Sequence, residues 1–259
     1  MIIRAINDVS KYKDYLSYNI RVNLRLKVSN TLLGYFWWLL DPLLQMLVYT
    51  IIVAFIFDKG EANFPVFVFC ALLSWKWFSS TVMYSANCIK ANSGVLNQVY
   101  VPKFLLPFQE TVVNLIKFLF GFIILLAMLV FFKIVPTLHF FEIIIIIASN
   151  FLFIFAVSLV MTHFGVFISD MRNFLSHVNR IWWYLSPGMY SLDIVPEQYS
   201  WLFWLNPNTT FFESYRNVIM YGQSPHYIAL FIWTSISCLL IFYGLRKLYA
   251  FDRSYSKIV

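Results

Sequence analysis

The chain has 259 residues, of which 61% are hydrophobic, 20% aromatic and only 12% charged. A soluble domain ordinarily carries about 25% charged residues, so this composition excludes a water-exposed globule and predicts an all-helical protein that crosses a membrane several times. The formal net charge of +7 does not point to nucleic acid. Of the 19 Lys and Arg, six precede Tyr35 and four follow Leu245, a distribution that fits positive charge kept on the cytoplasmic side of a membrane.

Residues 1–34 read as a cytoplasmic amphipathic interface helix. Asp14, Ser17, Arg21 and Arg25 share one helical face, while Tyr12, Tyr15, Leu16, Val22 and Leu26 gather opposite. Such a helix lies along the inner membrane surface. The first span follows at 35–57, opening with Tyr35, Phe36, Trp37 and Trp38, with only Asp41, Gln45 and Thr50 plainly polar. At 1.5 Å per residue it reaches about 34 Å, enough for a hydrocarbon core of about 30 Å. Further spans are expected at 64–85, 108–132, 140–168, 174–194 and 227–245. Between the second and third, residues 86–107 form a mixed segment with Gly94, Pro102 and Pro107.

Residues 195–226 are too polar to span and too aromatic for an ordinary loop. Two short re-entrant helices broken at Asn206-Pro207, the second capped by Asn208 or Thr209, are the expectation. With the N-terminus inside, 14 of the 19 Lys and Arg fall on the cytoplasmic side and only Lys59, Lys133 and Arg216 outside, which places both termini in the cytoplasm.

The chemistry of an enzyme is missing from the sequence. There is no phosphate-binding GxxxxGK[ST] loop, no GxSxG, no HExxH and no CxxC. Cys70, Cys88 and Cys238 are too few and too widely spaced for a disulfide framework or a metal motif, and the four histidines are scattered. Energy-requiring work therefore needs a partner.

Four stretches carry a family resemblance. They are Arg25 to Gly34 with Trp37 or Trp38 and Asp41-Pro42-Leu43; Gly94 to Lys103 with Leu105 to Pro107; Ser186-Pro187 with Tyr190 and Val195-Pro196; and Asn206-Pro207 with Arg216 nine residues after the proline. In order and spacing they resemble the ABC-2 type permease subunits of polysaccharide exporters, the O-antigen, capsule and teichoic acid branch. Where those permeases commonly carry an Arg-Asp pair after the fourth span, this chain has Ser169-Asp170-Met171-Arg172-Asn173.

The resemblance implies a homodimer in the bacterial inner membrane with two ABC ATPase subunits on its cytoplasmic side. ATP and Mg would sit on those partners, with no cofactor in this chain and no nucleic acid bound. The cargo would be a polyprenyl-pyrophosphate-linked glycan. A drug or small-lipid exporter of the same fold is the alternative, and a membrane glycosyltransferase or acyltransferase a more distant one. Arg21, Arg25, Gly94, Pro102 and Lys103 would receive the ATPase motion. Tyr35, Phe36, Trp37, Trp38, Tyr49, Trp182, Trp183, Tyr184 and Tyr190 would offer planes on which sugar rings slide, although the same rings also serve as interfacial anchors. Pro187, Asn206, Pro207, Glu213 and Arg216 would form an external gate, with Pro187-Gly188 breaking the fifth helix near its outer end and Glu213 and Arg216 read first as a structural ion pair. Asp41 is costly inside a span and calls for a partner, for which Lys117 is the candidate, or for interfacial water near the helix end, an equal alternative; snorkelling accounts for Lys76.

Overall fold

A computed structural model describes residues 1–29, 31–58, 60–252 and 254–255. Asn30, Lys59, Arg253 and Lys257, used above in the motif or the charge distribution, lie outside the described residues. Every regular element among the described residues is helical.

The N-terminal arm is two helices rather than one, α1 (Ile2–Lys11) and α2 (Lys13–Leu26), joined at Tyr12. Arg21 and Arg25 are exposed and Leu16 is buried, as the periodicity predicts, but Leu26 of the apolar stripe is 65% exposed. α3 (Gly34–Ile56) opens with a 3₁₀ turn and closes with a π-helical turn over Ile51–Ile56. Pro42 lies inside it and has no N–H to return to the preceding turn.

The bundle is organised on α4 (Phe64–Ser85), whose most apolar window is 78% buried. It is the least apolar of the long helices, and its Ser74, Thr81 and Ser85 are buried among its neighbours instead of facing lipid. It touches α3, α5 (Leu105–Phe131), α6 (Leu138–Phe167), α7 (Met171–Leu185) and α9 (Pro207–Arg216), with α8 (Glu197–Trp204) preceding the last of these. α10 (Tyr227–Ala250) packs along α6. Small residues let the helices approach: a Cβ added at Gly121 of α5 would lie 2.4 Å from the Leu73 side chain, and one at Gly244 of α10 would lie 2.7 Å from Leu159 Cβ.

Five helices among the described residues are long and apolar enough to cross a membrane: α3, α4, α5, α6 and α10. The expected span at 174–194 is not one of them. Its helix, α7, has 15 residues and ends at Leu185, so it reaches only about 22 Å. Ser186 is extended and Pro187 follows, which stops the helix well short of residue 194.

The 195–226 segment does contain two short helices broken at Asn206-Pro207, and they behave differently. α8 has no buried residue, whereas α9 is buried over most of its length against α4 and α6 and continues as a π-helical turn through Tyr221. The cap is Asn206, whose side-chain oxygen accepts the Asn208 N–H at 3.1 Å, and not Asn208 or Thr209.

A second, smaller core lies at one end of the bundle. Ala5, Leu16, Ile89, Val101, Phe104 and Leu248 join the N-terminal arm, the 86–107 segment and the end of α10.

Candidate translocation surface and its supports

Where α3, α4 and α7 meet, the wall carries a recess of about 230 Å³. Tyr49, Trp183 and Tyr184 reach it, together with Gln45, Ser79 and Asn179. Trp183 is 4% exposed and sits 5.5 Å from the Trp75 ring, 5.8 Å from Tyr49 and 6.0 Å from Phe212. Its indole N–H and the side-chain amide of Asn179 are both buried, and neither has an acceptor among the described residues. Buried donors are costly to leave unpaired, so the two sit behind the aromatic surface of the recess and would reach a solute only after a small side-chain movement. That combination suits a hydroxyl-rich, flat-faced solute.

Gln45, Trp75, Ser79 and Asn179 are absent from the sequence-derived aromatic set. A signal for one of them exists: Ser176, Asn179 and Trp183, spaced three and four, form one stripe on α7. A search for aromatics alone passes over it.

The other aromatic candidates lie elsewhere. Tyr35, Phe36 and Trp37 are exposed at the start of α3, and Trp38 is half-buried between Tyr35 (ring centroids 4.9 Å) and Phe120 (5.7 Å). Trp38 is about 16 Å along the helix from Tyr49, so the two groups are separate. Trp182 turns away from the recess and donates its indole N–H to Asn206 Oδ1 at 2.9 Å, an arrangement that supports α9. Tyr190 packs edge-on against Phe203 at 6.2 Å.

The external-gate residues form a joint. Asn206 donates to Ser186 Oγ at 2.7 Å, and the Ser186 hydroxyl donates to the Trp182 carbonyl at 2.7 Å. Pro187 and Pro207 are buried. Arg216 has 0% exposure. Its guanidinium donates to Glu213 Oε1 at 2.7 Å, to the Gly188 carbonyl at 2.9 Å and to the Phe67 carbonyl at 3.3 Å, and lies 3.4 Å from the Phe67 ring centroid. One side chain thereby ties α9 to the start of α4 and to the end of the α7 connection. The ion-pair reading of Glu213 and Arg216 holds, and the burial rules out a solvent-facing role for Arg216.

The intramembrane charges pair differently from the expectation. Asp41 bonds Lys76 and not Lys117, and Lys76 is thereby more than a snorkelling side chain. Lys117 instead lies 5.6 Å from the Trp38 ring centroid. Lys27 Nζ meets Glu110 Oε1 at 2.5 Å, and Asn114 donates to the same oxygen at 3.0 Å.

At the end carrying the small core, the residues expected to receive ATPase motion divide. Arg21, Arg25 and Gly94 are exposed, and nothing lies within 4 Å of a Cβ added at Gly94. Pro102 is buried, and Lys103, 4% exposed, pairs with Asp252 at 3.3 Å. Lys103 therefore joins the 86–107 segment to the end of the chain. Tyr249 donates to Asp8 at 2.6 Å and lies under Arg4, whose guanidinium carbon is 4.6 Å from the ring centroid. Burial, followed by the hydrogen bond and charge of Asp252, pushes the Tyr100 phenol up to about 12.

These features define a helical protein with several helices apolar enough to cross a membrane, whose interior walls offer aromatic and amide groups and, among the described residues, no cluster that could hold a metal ion. No family model matches the chain. It is 25% identical over 242 residues to the O-antigen export system permease protein RfbA of Myxococcus xanthus, covering 93% of each chain. It is 26% identical over 216 residues to the protein of the same name from Klebsiella pneumoniae, covering 83% of each. With the polysialic acid transport protein KpsM of Escherichia coli it shares 25% identity over 241 residues, 86% of this chain and 90% of that one. The resemblance to polysaccharide-export permeases thus extends through most of the chain, and these relatives are transport proteins, not enzymes.

Proposed function

We infer that the chain is the transmembrane subunit of an ATP-driven exporter that moves a polyprenyl-pyrophosphate-linked polysaccharide outward across the bacterial cytoplasmic membrane. The observation that carries this reading is the similarity, over 93% of both chains, to an O-antigen export permease. Two copies form the conduit, and an ABC ATPase docks on each at the end bearing α1, α2 and the 86–107 segment. The excess of Lys and Arg at that end favours a cytoplasmic location for both termini.

In this reading the chain makes six passages. α7 and the segment 186–194 supply the fifth, part of it in non-helical backbone, which a membrane tolerates where protein surrounds it. The recess of Tyr49, Trp183 and Asn179 contributes to the glycan path. Stacking on its rings and exchangeable hydrogen bonds to its unpaired donors hold a sugar without fixing it, which processive movement requires. ATP binding moves the exposed faces of α2 and the Gly94 turn, and the buried Lys103–Asp252 pair transmits that motion to α10. The joint at Arg216 holds the external helices in place while α7 shifts.

Affinity purification from native membranes in mild detergent, with mass spectrometry of co-purifying protein and lipid, tests the proposal. The expected result is an ABC ATPase in equal amount and a glycan-bearing polyprenyl lipid. The ATPase accompanied only by small lipids or drugs would overturn the substrate class. A permease without an ATPase, under conditions that preserve complexes, would overturn the transporter reading itself.

A further inference from the structure

The recess between α3, α4 and α7 carries one charge, and it is positive. Arg180 lines it beside Gln45, Ser79, Ser176, Asn179 and Tyr184, and no carboxylate reaches it. The ion pairs among the described residues do not include Arg180. Its guanidinium has five N–H donors and no acceptor of its own. α7 itself has no Asp or Glu from Met171 to Leu185. The preceding Asp170 is ten positions away, about 15 Å along the helix.

The depth of Arg180 makes that charge informative. It lies about 14 Å along α7 from Met171, close to the middle of a hydrocarbon core of about 30 Å. The nearer end of the helix gives it no outlet, because Leu185 leads into the buried Ser186, Pro187 and Gly188. Snorkelling therefore does not account for it. Arg180 is nevertheless exposed. A charge at this depth is costly unless it faces water or a partner, and its neighbours Gln45 and Asn179 place it on the polar side of α7. Arg172, Ser176, Arg180 and Tyr184 follow one another at intervals of four and form one stripe. Arg172 stands exposed at the start of that stripe, and Arg180 stands within it.

We propose that the exported polymer is acidic and that Arg180 selects it, taking an anionic oxygen group of the repeating unit while Tyr49 and Tyr184 lie against the neighbouring sugar ring. A guanidinium fork matches a carboxylate and a phosphodiester equally well, so the shared requirement is a negatively charged pair of oxygens. A neutral glycan offers only hydroxyls, which compensate poorly for the hydration that the guanidinium loses when a polymer fills the path. An acidic repeat restores the balance each time a unit passes. The pair stays exposed on one side, which keeps each contact weak enough to release. This inference rests on the export reading and deepens it by naming the charge class of the cargo.

The test uses the purified permease–ATPase complex and two fluorescent heptasaccharides, an oligogalacturonate and maltoheptaose, with binding read by thermophoresis. The oligogalacturonate is expected to bind at least about tenfold more tightly at low salt and to lose most of that advantage in molar salt, where charges are screened. Arg180→Gln should weaken its binding about fivefold to tenfold and leave maltoheptaose unchanged, whereas Arg180→Lys should stay within about threefold of the wild type. Equal affinity of the wild type for the two sugars overturns the proposal. So does an equal loss of both in Arg180→Gln, the signature of a merely structural role. A second measurement needs no variant: the polymer that co-purifies with the wild-type complex is hydrolysed and analysed for acidic sugars and phosphate. A carboxylated sugar or a phosphodiester in each repeat is the expected result, and the analysis separates these two sources of charge. A neutral repeat overturns the proposal and leaves the export reading intact, whereas absence of the ATPase from the wild-type preparation defeats the export reading itself.

Discussion

Replacing Arg216 by Met should be among the most damaging single changes in the chain, and the contacts allow its size to be worked out. The substitution keeps bulk but removes three donated hydrogen bonds, to Glu213 at 2.7 Å, Gly188 at 2.9 Å and Phe67 at 3.3 Å. It also leaves the Glu213 carboxylate, 14% exposed, without its cation. Breaking a buried pair from one side costs about 3–5 kcal/mol, because an uncompensated charge remains. For a chain of this length that corresponds to a fall of about 6–20 °C in apparent Tm, at about 2–4 °C per kcal/mol for domains near this size.

The assay is the fraction surviving a temperature series in detergent, read by size-exclusion chromatography. Glu213→Gln in the Arg216→Met background should recover about 1–3 kcal/mol, since the pair is directly coupled. Arg216→Lys should fall between, keeping the charge but losing the fork that reaches two carbonyls and a carboxylate together. An Arg216→Met protein melting within about 2 °C of the wild type would refute the argument that this side chain ties α4, α7 and α9 together.

Other consequences are equally direct. Gly165→Val should fail to accumulate in membranes, because a Cβ there would lie 1.9 Å from the Ala86 carbonyl oxygen, whereas Gly94→Ala should express normally, having open space; immunoblots of both variants decide it. Asn179→Ala should melt within about 1 kcal/mol of the wild type, since its side-chain nitrogen has no acceptor to lose, yet lower polymer export several-fold in a complementation assay. Lys103→Gln should lower stability by about 1–3 kcal/mol by leaving Asp252 without its cation, and Asp252→Asn in the same chain should restore part of that in the same melting series.

The membrane character, the first four long helices, the last one and the break at Asn206-Pro207 were legible in the sequence. Each depends on a local property: the length of an apolar run, its polar borders, or a proline that cannot continue a helix. Residues 64–85 illustrate this, where the predicted span and α4 coincide. The division of the arm at Tyr12 and the end of α7 at Leu185 were not legible to the same degree. A break at Pro187-Gly188 is legible in the sequence, but aromatic and apolar residues continue past Leu185 and extend the expected span to residue 194.

Pairings across the bundle belong wholly to tertiary structure. Asp41 and Lys76 are 35 positions apart, and Arg216 reaches the Phe67 carbonyl across 149. No periodicity encodes such partners, because a charge within a membrane takes the counter-charge that packing brings within reach. The same holds for Lys103, counted from the sequence among the cytoplasmic charges and buried against Asp252 in the structure. By itself the sequence determined where the chain can lie in a lipid environment, since transfer free energy is summed residue by residue. Only the packed structure decided which polar groups are spent on holding helices together and which, like the Asn179 amide, are buried without an acceptor among the described residues, because satisfaction of a buried polar group depends on neighbours far away in the chain.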